Sequence, residues 1–538
     1  MTSVEIPTAS AAPSRQSRKR RVERQISADP VVGKDILELL SSAMYVDPRA
    51  IFREYIQNAA DSIDDAFERH LFGNGDLARV DVTLDSSTRS IVIRDNGSGI
   101  AARDAERILT AFGASQKRGK KVRGFRGVGR LAAFGYAQTV TFRTKAAGDS
   151  VTTEIEWDCR RLRSAMTDPA YGGDLRQLVR DAVTVISEET DEKSRHFFEV
   201  RLERVVRIKN DLLLNPEEVR SYLGEVAPVP FAAEFARGVE IDARLNSHVP
   251  LARFQLFLNG SLDPIVRPHA DVFPVTQKKV DSAGEVQWFQ LPDGDGGLRA
   301  IVWVLHHSYL GALHGTNPLR GLRARVRGIQ VGDDKIFADV FPEPRFNSWT
   351  IGEVEILDDR IVPNGRRDGF EQSAAFSDLI AQLVPVGREV TRRCRQTSAQ
   401  RARVRGFLAR ADRLQALLHI LTQRGITKTR ESRTRAEIGR LLADMKKILK
   451  SPQLSELESA RLKRRLAKLQ RQYDGIEILV GDDDPLNAIA PAQRGIYRHV
   501  LDLIFECSPN KTVARSLADR ITSRLAAQAV HARRRRAR

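Results

Sequence analysis

Residues 53–66 read REYIQNAADSIDDA, and the way this stretch folds decides how the rest of the chain is read. On a helix advancing about 100° per residue, Glu54, Asn58 and Asp61 fall within about 60° of one another, while Phe52, Ile56, Ala59 and Ile63 take the other side. A solvated face of an amphipathic helix has this pattern. So does a face that carries chemistry: Asn58 offers a side-chain oxygen to a magnesium ion, and Glu54, one turn earlier, positions or deprotonates a water.

Two further boxes follow. Residues 90–100, SIVIRDNGSGI, alternate like a strand up to Arg94, and Asp95 stands where the strand gives way to a turn built on Gly97 and Gly99. An ordinary β-turn fits these residues. They also fit a carboxylate that accepts a hydrogen bond from an adenine amino group, with glycines that let backbone approach the base. Residues 124–137, GFRGVGRLAAFGYA, place Gly124, Gly127 and Gly129, with Val128 between the last two, ahead of a short helix. Backbone N–H groups at such a helix start cradle phosphate. The box is neither a dinucleotide fingerprint, because no strand leads directly into it, nor a P-loop, because the Gly-Lys-Ser/Thr end is missing. Just upstream, GASQKRGKKVR at residues 113–123 carries Lys117 in a charged loop, either a solvated run or a flap over phosphates.

Around these boxes helices alternate with strands from about residue 31 to 210: a helix over 47–70, strands over 79–84, 90–95, 139–144, 151–157 and 196–205, and the Gly-rich loop and helix over 124–136. A second mixed segment runs over 239–383, with strands at 253–258, 287–291, 299–305 and 323–331 and a last helix over 371–383. The fold class is α+β, with the first segment an α/β sandwich in outline. Five segments result: a disordered basic arm at 1–28, a nucleotide-type domain at 29–212, a mixed domain at 213–386, a basic helical or coiled-coil region at 387–475, and a helical segment at 476–538 that ends HARRRRAR after a break at GDDDP.

With 538 residues and a formal net charge of +18, the chain is too long for one core. Its charge is concentrated, because residues 387–474 hold 24 Lys and Arg against 8 Asp and Glu, a net of +16. Cys159, Cys394 and Cys507 are too few and too far apart for a disulfide framework or a Cys-x-x-Cys metal site. No apolar run reaches membrane-span length and no secretory-type apolar core opens the sequence, so cytoplasm is the expected location and membrane is not an expected partner.

In this order and at these separations the three boxes resemble the Bergerat ATP-binding fold of the GHKL superfamily, and most of all the ninety-kilodalton heat-shock chaperones. The resemblance implies a magnesium-dependent ATPase with ATP and Mg2+ as ligands. Glu54 becomes the water-activating carboxylate, Asn58 the magnesium ligand, Asp61 a helper near the ribose or adenine and Asp95 the adenine reader. Gly97 and Gly99 shape the adenine pocket, and Gly124, Gly127, Val128 and Gly129 bind phosphate beneath the Lys117 loop. Two departures stand out. The family's last-strand Gly-Thr pair has no counterpart in SRHFFEVRLERV at residues 194–205, and AERILTAFGAS at 105–115 lacks the asparagine that follows the second box.

Residues 323–337, RARVRGIQVGDDKIF, and 346–371, FNSWTIGEVEILDDRIVPNGRRDGFE, resemble the middle domain of the same chaperones. That resemblance implies a cation from the second domain, Arg366 or Arg367, which stabilises charge on the γ-phosphate during hydrolysis. The implied function is a homodimeric, nucleotide-gated clamp on a protein client. A second reading makes it a nucleic-acid-acting ATPase, in a bacterial defence system for example, whose basic helices at 387–475 and Arg-rich tails contact phosphates.

Overall fold

The computed structural model describes residues 47–111, 129–249, 253–422, 428–452, 454–476, 486 and 489–536. The expected arm at 1–28, the candidate residues Lys117, Gly124, Gly127 and Val128, and the break at 481–485 lie outside the described residues. The chain divides into two units, Met1–Leu223 with Arg253–Ile265, and Gly224–Ala252 with Val266–Arg538.

The first unit begins with helix α1 (Ala50–Glu68). Asp47 supplies its start: the carboxylate accepts the Arg49 N–H at 3.0 Å and Pro48 follows, a residue whose fixed φ suits a first turn. At the other end His70 takes a left-handed φ of 55° and Leu71 N–H reaches back to Ala66 O at 2.9 Å, closing the helix. Strands β1 (Arg79–Asp85) and β2 (Ser90–Asp95), helix α2 (Ala102–Thr110) and a 3-10 turn at Gly129–Ala133 follow. Next come β3 (Thr139–Lys145), β4 (Val151–Asp158), α3 (Cys159–Thr167), α4 (Leu175–Ala182), β5 (Val183–Glu189) and β6 (Phe197–Glu203). Helix α5 (Pro216–Val226) contains the boundary between the units.

One sheet of seven strands, the six above and β7 (Gln255–Leu258), organises this unit in the order β5-β4-β3-β6-β2-β1-β7. All pairs are antiparallel except that β7 runs parallel to β1. Residues 253–258, read in sequence with the second mixed segment, thus complete the first sheet. Helix α1 packs on β2, α2 on β3 and β4, and α3 on β3. Ile51, Phe52, Ile56, Ile63, Val80, Ile91, Val140, Phe142 and Trp157 are buried between these elements.

The second unit opens with α6 (Gly238–Asn246) and a ribbon of β8 (Val272–Thr276) and β9 (Lys279–Ser282). A five-stranded sheet follows, made of β10 (Val286–Pro292), β11 (Leu298–Leu305), β12 (Gly321–Val326), β13 (Ile329–Val331) and β14 (Ile351–Ile356), in the order β10-β11-β14-β12-β13. The single strand expected over 323–331 is instead the antiparallel pair β12 and β13, turned at Arg327 and Gly328, both with positive φ. One side of the sheet buries Val302, Val304, Leu322 and Val354 against Leu379, Leu383 and Val390. The other packs Trp303 and Ile351 against Phe231, Phe235 and Ile241.

Those leucines belong to α7 (Ala374–Leu421), capped by Ser373. The helix expected to stop near residue 383 continues through Pro385 for 48 residues, about 72 Å. Gly387 lets it do so, because a Cβ there would lie 2.5 Å from Val340 O, so the glycine serves close packing rather than a break. The far half of α7 forms a bundle with α8 (Lys428–Leu449) and α9 (Glu456–Asp474), burying Leu414, Leu417, Leu418, Leu421, Leu462, Leu466 and Leu469. Leu457, five residues before Leu462 and so about 140° round the helix from it, is 83% exposed. Helices α10 (Pro491–Cys507) and α11 (Lys511–Arg536) pack together through Leu501, Phe505, Ala514 and Ala518. Cys159 and Cys394 are buried free thiols whose burial pushes both up to about 12, and Cys507 is free and exposed.

Candidate active site

Helix α1 is buried almost all round. Besides its apolar side, Arg53, Glu54, Gln57 and Asp61 are each less than one tenth exposed, and Asn58 is half-buried. Carboxylates are rarely sunk this way on a solvated face, so the polar side of α1 looks into the protein. The Glu54 carboxylate lies 3.7 Å from the Arg53 guanidinium. It also sits directly beneath Gly129, where an added Cβ would lie 2.4 Å from Glu54 Oε2. Tyr55 fastens the two elements together by donating its hydroxyl to Arg130 O at 2.8 Å. Arg130 in turn donates to Ala111 O, which ties together the two chain ends that flank residues 112–128. Burial pushes its guanidinium down to about 10.

Strand β2 delivers Asp95, 3% exposed, to the sheet end beside α1. Its Oδ1 accepts the Gly97 N–H at 2.9 Å, which fixes the carboxylate and starts the turn. The loop after it is held from three directions. Ser98 N–H donates to Ser62 O of α1 at 3.0 Å. The Ile100 N–H donates to Thr144 Oγ1 at 2.8 Å, and that fully buried hydroxyl donates onward to Phe197 O at 3.2 Å. The His196 ring nitrogen Nδ1 meets Gly97 O at 2.7 Å; a carbonyl only accepts, so Nδ1 carries the proton. The glycines are required by contact: a Cβ on Gly97 would lie 2.3 Å from Ser62 Oγ, and one on Gly99, whose φ is +64°, would lie 2.1 Å from Lys145 O.

Glu54, Asn58, Asp61, Asp95, Gly97, Gly99 and Gly129 are therefore brought to one end of the first unit. The threonine absent from β6 has a neighbour in Thr144. The register pairs Asp95 with Phe198 and Phe198 with Thr144, so a threonine stands in the same row one strand further on. Ser62, Thr144 and His196 were not singled out in the sequence. Ser62 lies inside the first box, but the other two reach the loop only through sheet pairing.

Arg366 and Arg367 belong to the second unit, in a loop closed by a bridge between Pro363 and Phe370. The Arg366 side chain is exposed, whereas Arg367 is buried, with a φ of 55° and a carbonyl that accepts the Gly332 N–H at 2.9 Å. Among the described residues the second unit also holds a buried charge network. The Glu353 carboxylate takes Arg267 Nη1 at 2.7 Å and Arg325 Nε at 2.6 Å, all three nearly without solvent contact. Burial pushes the Glu353 carboxyl up, but the Arg267 and Arg325 guanidiniums more than reverse this and hold it at about 2. No group of three or more metal-type side chains occurs among the described residues.

Residues 49–170, which carry α1, the Asp95 loop and the glycine box, match the family model of histidine kinase-, DNA gyrase B- and HSP90-like ATPases. The match falls on the same residues as the buried Glu54 and Asp95 and makes this part of the first unit GHKL-like. Its likeness is to the HSP90 branch. Over 143 residues the chain is 34% identical to the chaperone protein HtpG of Enterobacter sp. (strain 638) and 33% identical to that of Salmonella typhi. Each match covers 23% of this chain and 23% of the relative, so the chain spans about a quarter of the length of the curated relatives it matches. The second unit lies outside the family match. No helix among the described residues is long and apolar enough to cross a membrane.

Proposed function

We propose that the first unit binds ATP with a magnesium ion and hydrolyses it, and that the chain acts as a homodimeric, chaperone-like clamp whose state follows the nucleotide. The observation that carries this reading is the Glu54 carboxylate, buried one turn before Asn58 and beneath Gly129. A buried carboxylate next to a phosphate-type glycine turn is placed to take a proton from water attacking a γ-phosphate.

The donor set suits magnesium. Asn58 offers one neutral oxygen on the face of Glu54, and magnesium takes most of its ligands from phosphates and water. When bound, the ion neutralises charge on the phosphates. Asp95, fixed by Gly97 N–H, is the group for the adenine amino hydrogen, and Gly97 and Gly99 let the backbone approach the base. Asp61, buried on the same face, supports that end of the pocket. By the resemblance, Gly124, Gly127, Val128 and Gly129 are the residues assigned to phosphate, together with Lys117. In the second unit, Arg366 is the arginine we assign to assisting hydrolysis, because its side chain is exposed while Arg367 is buried in its own loop. A protein client follows from the likeness to HtpG, a chaperone by name, and cytoplasm is the proposed location.

Glu54→Ala is the test. ATP should still bind while turnover is lost, and unchanged hydrolysis would remove Glu54 from its role.

A further inference from the structure

The ATPase reading does not use the +16 carried by residues 387–474. Some arginines of the helical bundle have acidic partners: Arg410 with Asp444 at 3.6 Å, Arg413 with Glu437 at 2.9 Å, Arg435 with Glu431 at 2.9 Å and Arg430 with Asp502 at 3.3 Å. Helix α9 gathers four cations on one face. Arg461, Arg464, Lys468 and Arg471 are all exposed. Their spacing of three, four and three residues puts them within an arc of about 80°, roughly opposite the buried Leu462, Leu466 and Leu469. None of the four has an acidic partner among the described residues, and no Asp or Glu occurs in the sequence from 459 to 473. Arg465, on the edge of the row, is paired with Asp412 at 3.2 Å.

We infer that this face of α9 is a docking surface for the phosphate backbone of duplex nucleic acid. The four cations span about 15 Å of helix, one about every 5 Å. Phosphates on one strand of a duplex follow each other every ~3.4 Å of its axis, so such a row can neutralise several of them. Three of the four cations are arginines, whose planar fork grips phosphate oxygens in pairs. Leu457, an exposed apolar side chain on the same arc, stands one turn before Arg461, at the end of the row and not at its centre, whereas a surface that docks protein buries an apolar centre. The arc presents no aromatic ring. Tyr473, the aromatic of this helix, packs into the bundle beside Arg435. Single-strand surfaces stack bases on aromatic rings, so the duplex is the better fit. Contact through phosphates alone makes the binding independent of sequence.

The test measures anisotropy of a labelled DNA duplex with the full chain over a salt series. Four phosphate contacts give a slope of log affinity on log salt of about −3.6, a loss of roughly 150-fold between about 50 and 200 mM salt. Replacing Arg461, Arg464, Lys468 and Arg471 together by Ala should remove most of that slope. The matching variant with the three arginines as Lys should keep it, and circular dichroism melting checks that both fold. Three results would overturn the assignment: an Ala variant that binds with unchanged slope, single strands that bind better than duplex, or polyglutamate that competes as well as duplex of equal charge. Because these residues lie outside the nucleotide site, Glu54→Ala should bind duplex like the wild type, so failure of the ATPase reading leaves this result readable.

Discussion

Replacing Gly97 by Ala tests whether the Asp95 loop is held as tightly as its contacts imply. The added Cβ would lie 2.3 Å from Ser62 Oγ and 2.6 Å from the Ser62 carbonyl carbon, where ordinary carbon contacts are about 3.5–4.0 Å. Ser62 Oγ can rotate away, but the carbonyl carbon belongs to a helix packed on both sides and cannot. The loop must therefore move by about 1 Å, which strains the Ser98 N–H to Ser62 O bond of 3.0 Å and the His196 to Gly97 O bond of 2.7 Å. Overpacking of this kind costs about 1–3 kcal/mol, and each weakened hydrogen bond adds up to about 1 kcal/mol. A total of about 2–4 kcal/mol is expected. If it falls on the nucleotide complex, the Kd for ATP rises roughly 30- to 700-fold; if it falls on the folded state, Tm drops by several degrees. Titration calorimetry with a non-hydrolysable ATP analogue and thermal melting separate the two. Gly172→Ala is the control, since nothing lies within 4 Å of its added Cβ, and it should change stability by less than about 0.5 kcal/mol. Wild-type affinity together with wild-type melting in Gly97→Ala would refute the packing argument.

Further outcomes follow from other contacts. Glu54→Ala should lower turnover by about 10²–10⁴ while ATP affinity stays within a few-fold, measured by steady-state hydrolysis and equilibrium binding. Arg366→Ala should cut turnover about tenfold or more without changing the melting curve, whereas Arg367→Ala should lower Tm because its side chain is buried; the reverse pattern would exchange their roles. Glu353→Gln should destabilise the protein by about 3–5 kcal/mol in thermal or denaturant unfolding, because it leaves Arg267 and Arg325 buried without a carboxylate. The same carboxyl sets an acid limit. Its folded value of about 2 lies below the ordinary 4.5, so its contribution, about 3 kcal/mol, is full above pH 4.5 and is lost as pH falls towards 2. Glu353→Gln should flatten the stability profile across that range.

Much of the first unit was legible because its signals are local. Period 3.6 in residues 50–68 and alternation in 90–95 each depend on near neighbours, and they give helix and strand edges within a few residues. Other readings failed where distant chain decides. The last helix of the second segment is expected to end near residue 383, yet α7 continues through Pro385 and Gly387, and the glycine there leaves room for Val340 O. Residues 253–258 look like part of the second segment, yet β1 had an open edge for them to pair with.

The sequence by itself determined that Glu54, Asn58 and Asp61 share a face, that Asp95 ends a strand in a glycine turn, and that the charge collects after residue 387. All of these follow from residue order and the fixed geometry of helix and strand. Only the tertiary structure decided that the polar face of α1 is buried against Gly129, that Ser62, Thr144 and His196 hold the Asp95 loop, and that Arg461, Arg464, Lys468 and Arg471 of α9 stand without acidic partners among the described residues while Arg465 beside them has one. Burial and ion pairing depend on which remote segments arrive alongside, and residue spacing carries no record of that.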